Sequence, residues 1–229
     1  MRPLIIALLA SLQVSNVMAA DKKLSDFPFW RATAGWWRAE NTYMDRDLNY
    51  NIRSYNSVIH VEIDGRTFRE TEIKSYAPSK LALGYGKGKT TADEGVEAVT
   101  VLTGQLIDDA GTVAIEDGEG TEVRILTPDT AVRVTPNAKT NVDTYRMYIV
   151  MPVPDKRYRT NLGLVSDTTG SGAANAAPDA KFGDLRGYSV FREDRIQAAE
   201  ADAWRATFRT KNKVAAVIEN GALTRLDGK

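Results

Sequence analysis

Two alternating runs, Ser57 to Ile63 and Arg66 to Ile73, are joined by Asp64 and Gly65. An Asp-Gly pair between alternating strands is the preferred two-residue hairpin turn, because both positions must accept positive φ. That turn implies a register in which Ile63 faces Arg66, Val61 faces Phe68, His60 faces Arg69 and Ile59 faces Glu70. Ile59, Val61, Ile63 and Phe68 then share one surface, and His60, Glu62, Thr67 and Arg69 share the other. The first surface is expected to be buried.

The same rhythm runs from Asn41 to about Met151, with turn residues at intervals of roughly 8–12 positions, as in an antiparallel sandwich or barrel. Further strands are legible at Ala98–Ile107, Thr112–Glu116, Glu122–Leu126, Ala131–Thr135, Thr144–Met151 and Leu185–Phe191. In all, roughly seven to ten strands are expected. Residues 166–181 are rich in Ser, Thr, Gly, Ala, Asn and Pro and read as a flexible loop. Gln197 to Thr210 is rich in Ala, Glu and Arg, with Ala199, Ala203, Trp204 and Phe208 near helical spacing, and is the one helix expected. Val214–Ile218 and Ala222–Leu226, separated by Asn220-Gly221, form a closing hairpin.

The N-terminus reads as a removable secretion signal: Arg2, an apolar stretch from Leu4 to Leu12, and small residues before the charged Asp21. Cleavage after Ala19 or Ala20 would leave residues 21–229 as one domain, periplasmic or secreted, with no integral membrane segment. With no cysteine, the fold cannot rest on disulfides, and cysteine can be neither nucleophile nor metal ligand. Thirty basic residues balance 30 acidic ones with no block of either sign, which gives no footprint for nucleic acid.

Several motifs fail on inspection. Gly84 to Thr90 imitates a phosphate-binding loop, but Leu83 stands where its first glycine belongs. Asp45, Asp47 and Asn49 imitate an EF-hand start, but Tyr50 replaces the turn glycine and Asn56 the bidentate glutamate. His60 is the sole histidine, which excludes sites that need two imidazoles. No metal or cofactor is expected. If the domain is catalytic, Glu70 is the best acid or base, because the hairpin puts it on the apolar surface, and Glu72 follows on the same face. His60 and Arg69, near Glu62, become the candidates if the barrel is inverted relative to that assignment.

Phe27, Phe29, Trp30, Trp36 and Trp37 crowd into one short stretch, followed by Tyr43, Tyr50 and Tyr55. Such a cluster either plugs one end of a barrel or walls a cavity for a flat apolar ligand. Tyr145 and Met147 alternate along another strand and either line that cavity or pack in the core. The ligand-lining candidates are therefore Trp36, Tyr43, Tyr55, Phe68, Tyr145 and Met147.

The stretch Ala34-Gly35-Trp36-Trp37-Arg38, at the start of the first strand, resembles the Gly-x-Trp signature of the calycin superfamily, which includes lipocalins and fatty-acid-binding proteins. The resemblance implies an antiparallel β-barrel with one helix near the C-terminus. It also implies that Trp37 closes the barrel floor and that an arginine from a late strand packs over it, with Arg225, Arg205 and Arg209 as candidates. The second lipocalin signature cannot be placed, and the paired cysteines of secreted members are absent. A barrel of about eight strands has room for one small ligand. The expected function is an exported barrel that binds a small hydrophobic or aromatic molecule. The alternatives are a cofactor-independent lyase or isomerase using the same cavity and a structural envelope module.

Overall fold

A computed structural model of the chain describes residues 22–45, 50–76, 96–135, 142–151, 155–165, 185–208, 214–220 and 222–226. The expected signal (1–20), the loop at 166–181, and the Gly84–Thr90 stretch lie outside these residues. A 3₁₀ turn (Leu24–Asp26) leads into α1 (Pro28–Thr33). Ten strands follow: β1 (Gly35–Asp45), β2 (Tyr50–Asp64), β3 (Thr67–Tyr76), β4 (Val96–Leu106), β5 (Val113–Ile115), β6 (Glu122–Thr127), β7 (Thr130–Thr135), β8 (Val142–Met151), β9 (Lys156–Val165) and β10 (Leu185–Ile196). Then come α2 (Ala198–Ala206), β11 (Val214–Glu219) and β12 (Ala222–Arg225).

Each strand from β1 to β10 pairs antiparallel with its sequence neighbour, and β10 returns to pair with β1. The described residues are thus mainly β, forming an antiparallel barrel followed by a helix. The β4–β5 pairing is short, Gly104–Leu106 against Ile115–Val113. A Cβ on Gly104 would lie 2.6 Å from the Ala114 carbonyl oxygen, so only glycine permits this approach. The earlier half of the same edge, Glu97–Val101, carries β11 in parallel, and β12 extends it.

Alternation decides which side chains enter the barrel. Along β2, Ser57, Ile59 and Val61 are buried inside, while Asn56 and Glu62 are exposed. One end is stoppered by α1, whose Phe29 and Trp30 rings meet edge to face at 5.2 Å, with Phe68 5.3 Å from Trp30. The Trp30 indole N–H donates to the Gly111 carbonyl at 2.8 Å. Of the two roles open to the aromatic cluster, these two residues take the plug. A second apolar cluster lies outside the barrel, where Ala201 and Phe208 of the α2 segment pack on Val58 and Ile196, flanked by Trp36 and Trp204. Among the described residues no helix is long and apolar enough to cross a membrane.

Four sequence expectations need correction. The β2–β3 register is shifted by two: Asp64 pairs with Thr67, Ile63 with Phe68, Val61 with Glu70 and Ile59 with Glu72. Gly65, at φ +55, and Arg66 form the corner instead. The corner is pinned by the Leu24 amide donating to the Gly65 carbonyl (2.8 Å) and by Arg66 donating to the Leu106 carbonyl (2.6 Å). A shift of two preserves side-chain parity, so the assignment of faces stands. Secondly, the described residues alone hold twelve strands rather than seven to ten, β9 being the one with no counterpart in the sequence reading. Thirdly, α1 is an additional helix, started by Pro28 at its first position. Lastly, α2 stops at Ala206, where Thr207 turns its hydroxyl back to the Trp204 carbonyl at 2.6 Å.

Candidate functional site

Alternation along β9 sends Arg157 and Arg159 into the barrel and leaves Lys156 and Tyr158 outside. On the neighbouring β10, Glu193 pairs with Arg157 and Phe191 with Arg159 through their backbones. Glu193 accepts a hydrogen bond from the Nε of both arginines. Across the lumen, β3 contributes Glu70, Glu72 and Lys74. Arg159 Nη2 donates to Glu72 at 3.1 Å, the Ser57 hydroxyl donates to the same carboxylate at 2.9 Å, and Lys74 Nζ lies 3.5 Å from it. The Arg159 guanidinium lies 4.2 Å from the Phe191 ring centroid.

All six charged side chains are buried, with both arginines at 0 % exposure. Burying ions costs several kcal/mol each unless pairing and hydrogen bonding are complete. Here they are not. Both terminal nitrogens of Arg157 lack a hydrogen-bond partner. Glu70 approaches Arg159 Nη1 at 3.7 Å and Arg157 Nη2 at 4.0 Å, beyond hydrogen-bond range. On its other side Glu70 borders a cavity of about 10 Å³ lined by Phe29, Trp30, Thr33, Phe68 and Val123. The Thr33 hydroxyl there is also without a partner.

Beneath the cluster lies the floor. Trp37 is fully buried, its indole N–H donating to the Thr33 carbonyl at 2.9 Å. The Arg157 guanidinium lies 4.9 Å and that of Arg195 4.3 Å from its ring centroid. Arg195 also donates to the Ala32 and Ala34 carbonyls at the end of α1, at 2.5 and 2.7 Å. The packing arginine is therefore Arg195, directly opposite Trp37 in the β1–β10 register. Arg205 instead binds Glu97 at 2.6 Å on the outside, Arg225 lies on β12 away from β1, and Arg209 lies outside the described residues. Gly35 is required here: its φ is +116, and a Cβ would meet Arg195 Nη1 at 2.8 Å.

Of the residues singled out in the sequence, Glu70 and Glu72 enter this cluster. His60 and Arg69 lie on the outer face, His60 Nδ1 being 3.6 Å and Arg69 Nε 3.8 Å from Glu62. Trp36 is also outside, stacked on His60 at 4.0 Å with the rings 9° from parallel. Phe68 packs on the plug. Tyr43, Tyr55, Tyr145 and Met147 lie on β1, β2 and β8, and their side chains fall outside the described ones. Sequence reasoning missed Arg157, Arg159, Glu193 and Lys74. The alternating pair Arg157-x-Arg159 facing Phe191-x-Glu193 was the available signal, once β9 and β10 are recognised as partners.

On the outer face, a groove of about 360 Å³ runs beside α2 and is lined by Arg38, Glu40, Lys156, Tyr158, Arg192, Asp194 and Trp204. Asp194 pairs with Lys156 and accepts from Arg38 Nη2 at 3.2 Å. The hydrogen bond from Lys156, helped by that from Arg38 and opposed by partial burial, holds the Asp194 carboxyl below its ordinary value. These are open, solvated pairs.

No family model matches this chain, and neither does any curated protein. Among solved structures, a protein of unknown function from the DUF3598 family of Nostoc punctiforme is similar over 72 % of this chain, at 13 % identity and a TM-score of 0.46. This chain covers 48 % of that protein, about half its length. An S-type phycobiliprotein lyase from Guillardia theta is similar over 77 % of this chain and 94 % of its own, at 12 % identity and a TM-score of 0.46.

Proposed function

We propose that the barrel holds a small molecule with a hydrophobic or aromatic body, its polar end resting on the buried charge cluster. The observation that carries this reading is Arg157: it is fully buried, yet both its terminal nitrogens lack a hydrogen-bond partner. Buried polar groups without a partner are rare and need a physical reason, and a bound polar group that completes the hydrogen bonding supplies one. The floor is filled by Trp37, Phe29 and Trp30, so the ligand's body extends toward the other end of the barrel, where β1 carries Tyr43 and β2 carries Tyr55. Native mass spectrometry of protein purified from its own source tests this: an adduct that organic extraction removes is expected. A spectrum of bare protein, together with failure to bind the neutral dye Nile red, would overturn it.

A second reading, a cofactor-independent lyase or isomerase, is favoured by Glu70, a buried carboxylate beside two guanidinium groups that do not hydrogen-bond to it. Such a group is placed to take or return a proton at a bound substrate. Turnover of a bound aromatic compound, abolished by Glu70→Gln in a folded protein, is the expected sign. We propose also that the chain is exported, on the strength of its first twenty residues, with processing after Ala19 or Ala20 as the mass to look for.

A further inference from the structure

Within the lumenal cluster, Arg157, Arg159 and Lys74 carry three positive charges and Glu70, Glu72 and Glu193 three negative ones, so the six side chains sum to zero. Glu193 accepts from two arginine Nε donors, one on each oxygen, and Glu72 accepts from Ser57 and Arg159 with Lys74 Nζ 3.5 Å away. The terminal nitrogens of Arg157 have no hydrogen-bond partner, and the Glu70 carboxylate approaches them only to 4.0 Å, beyond hydrogen-bond range. Resting on the lumenal-binding reading, we infer that the ligand's buried end is a neutral group that both accepts and donates hydrogen bonds, such as a carboxamide or lactam, rather than a carboxylate or an ammonium.

The reason lies in what each alternative leaves behind. A carboxylate would accept from Arg157 but would stand against Glu70, with Glu72 and Glu193 close by, in an interior where like charges are weakly screened. An ammonium would satisfy Glu70 and stand against two guanidinium groups. A neutral amide presents its C=O to Arg157 and its N–H to Glu70, so that each group gains a hydrogen bond and the charge balance is unchanged. The unpartnered Thr33 hydroxyl, on the cavity that Glu70 borders, can turn to serve as either donor or acceptor.

The test uses three probes with one alkyl chain, dodecanamide, laurate and dodecylamine, titrated at pH 8 by competition with Nile red against the full-length protein and its E70Q variant. The expected result for wild type is dodecanamide bound at least about tenfold tighter than either charged probe, a tenfold ratio being 1.4 kcal/mol. In E70Q the cluster gains one net positive charge, and the carboxylate gives way to an amide that still accepts but now also donates, so laurate tightens and the preference for dodecanamide over laurate disappears. Laurate equal to or tighter than dodecanamide in wild type would overturn the inference while leaving lumenal binding intact. Displacement by none of the three, with no Nile red bound, would instead remove the binding reading and the inference with it. Should E70Q not fold, as judged by circular dichroism, the wild-type ranking alone decides.

Discussion

Glu193 and Asp194 are consecutive carboxylates that answer to different physics. Glu193 points into the barrel at 1 % exposure and accepts from two buried arginines, whereas the Asp194 side chain is 39 % exposed and shares two surface cations. The same division separates Arg157 from Lys156 and Trp37 from Trp36. What differs is not the chemistry of the side chain but the dielectric it works in, so neighbouring residues of one type should differ several-fold in what they contribute.

The largest expected effect is at the inner carboxylate. Glu193→Gln leaves two buried guanidinium groups without their shared anion and should cost about 3–5 kcal/mol in urea unfolding. Asp194→Asn should cost less than about 1 kcal/mol, as exposed pairs do. Equal losses would break the comparison. The tryptophans sharpen it: Trp37→Ala should lose about 3–5 kcal/mol, as large aromatic truncations in cores do. Trp36→Ala should lose less, chiefly a ring stack worth about 0.5–1.5 kcal/mol beyond the area it covers. Gly35→Ala should cost about 1–3 kcal/mol through its positive φ alone, with a further loss if Arg195 is pushed off the Trp37 ring.

The smallest effect is on acid stability. Because the Lys156 and Arg38 hydrogen bonds lower the folded pKa of Asp194, the unfolded chain binds its proton more readily. The resulting stability is present above the ordinary carboxylate value, about 3.9, and is lost as pH falls through the lowered folded value. Thermal melts across that range should show a slightly shallower acid limb in Asp194→Asn than in wild type.

Much of the scaffold was legible because alternation and turns are local signals. The burial of Ile59, Val61 and Phe68, and the presence of Glu70 and Glu72 on their face, follow from parity, which survived a two-residue error in register. That error arose because the corner is fixed by contacts from Leu24 and Leu106, which no hairpin rule contains. Strand β9 was invisible for a related reason: Lys156 to Arg159 carries charge on both faces, so no apolar–polar alternation marks it. Arg157 and Arg159 become interior residues only through partners on β10 and β3, far away in sequence. The packing arginine was misplaced likewise, since Arg195 is selected by its cross-strand position opposite Trp37 and not by proximity to the C-terminus.

The closure of the barrel between β1 and β10 has a kinetic side. Arg195 meets the carbonyl of Ala32 across 163 positions of chain, whereas each earlier strand pairs with the one just before it. Pairings over such distances carry the largest loop-closure entropy and form slowly. Until β10 has been made, β1 is an unprotected edge, open to pairing with other chains. A ribosome-bound or truncated chain ending before Leu185 should therefore be the aggregation-prone species, and Arg195 marks the step after which that edge is sealed.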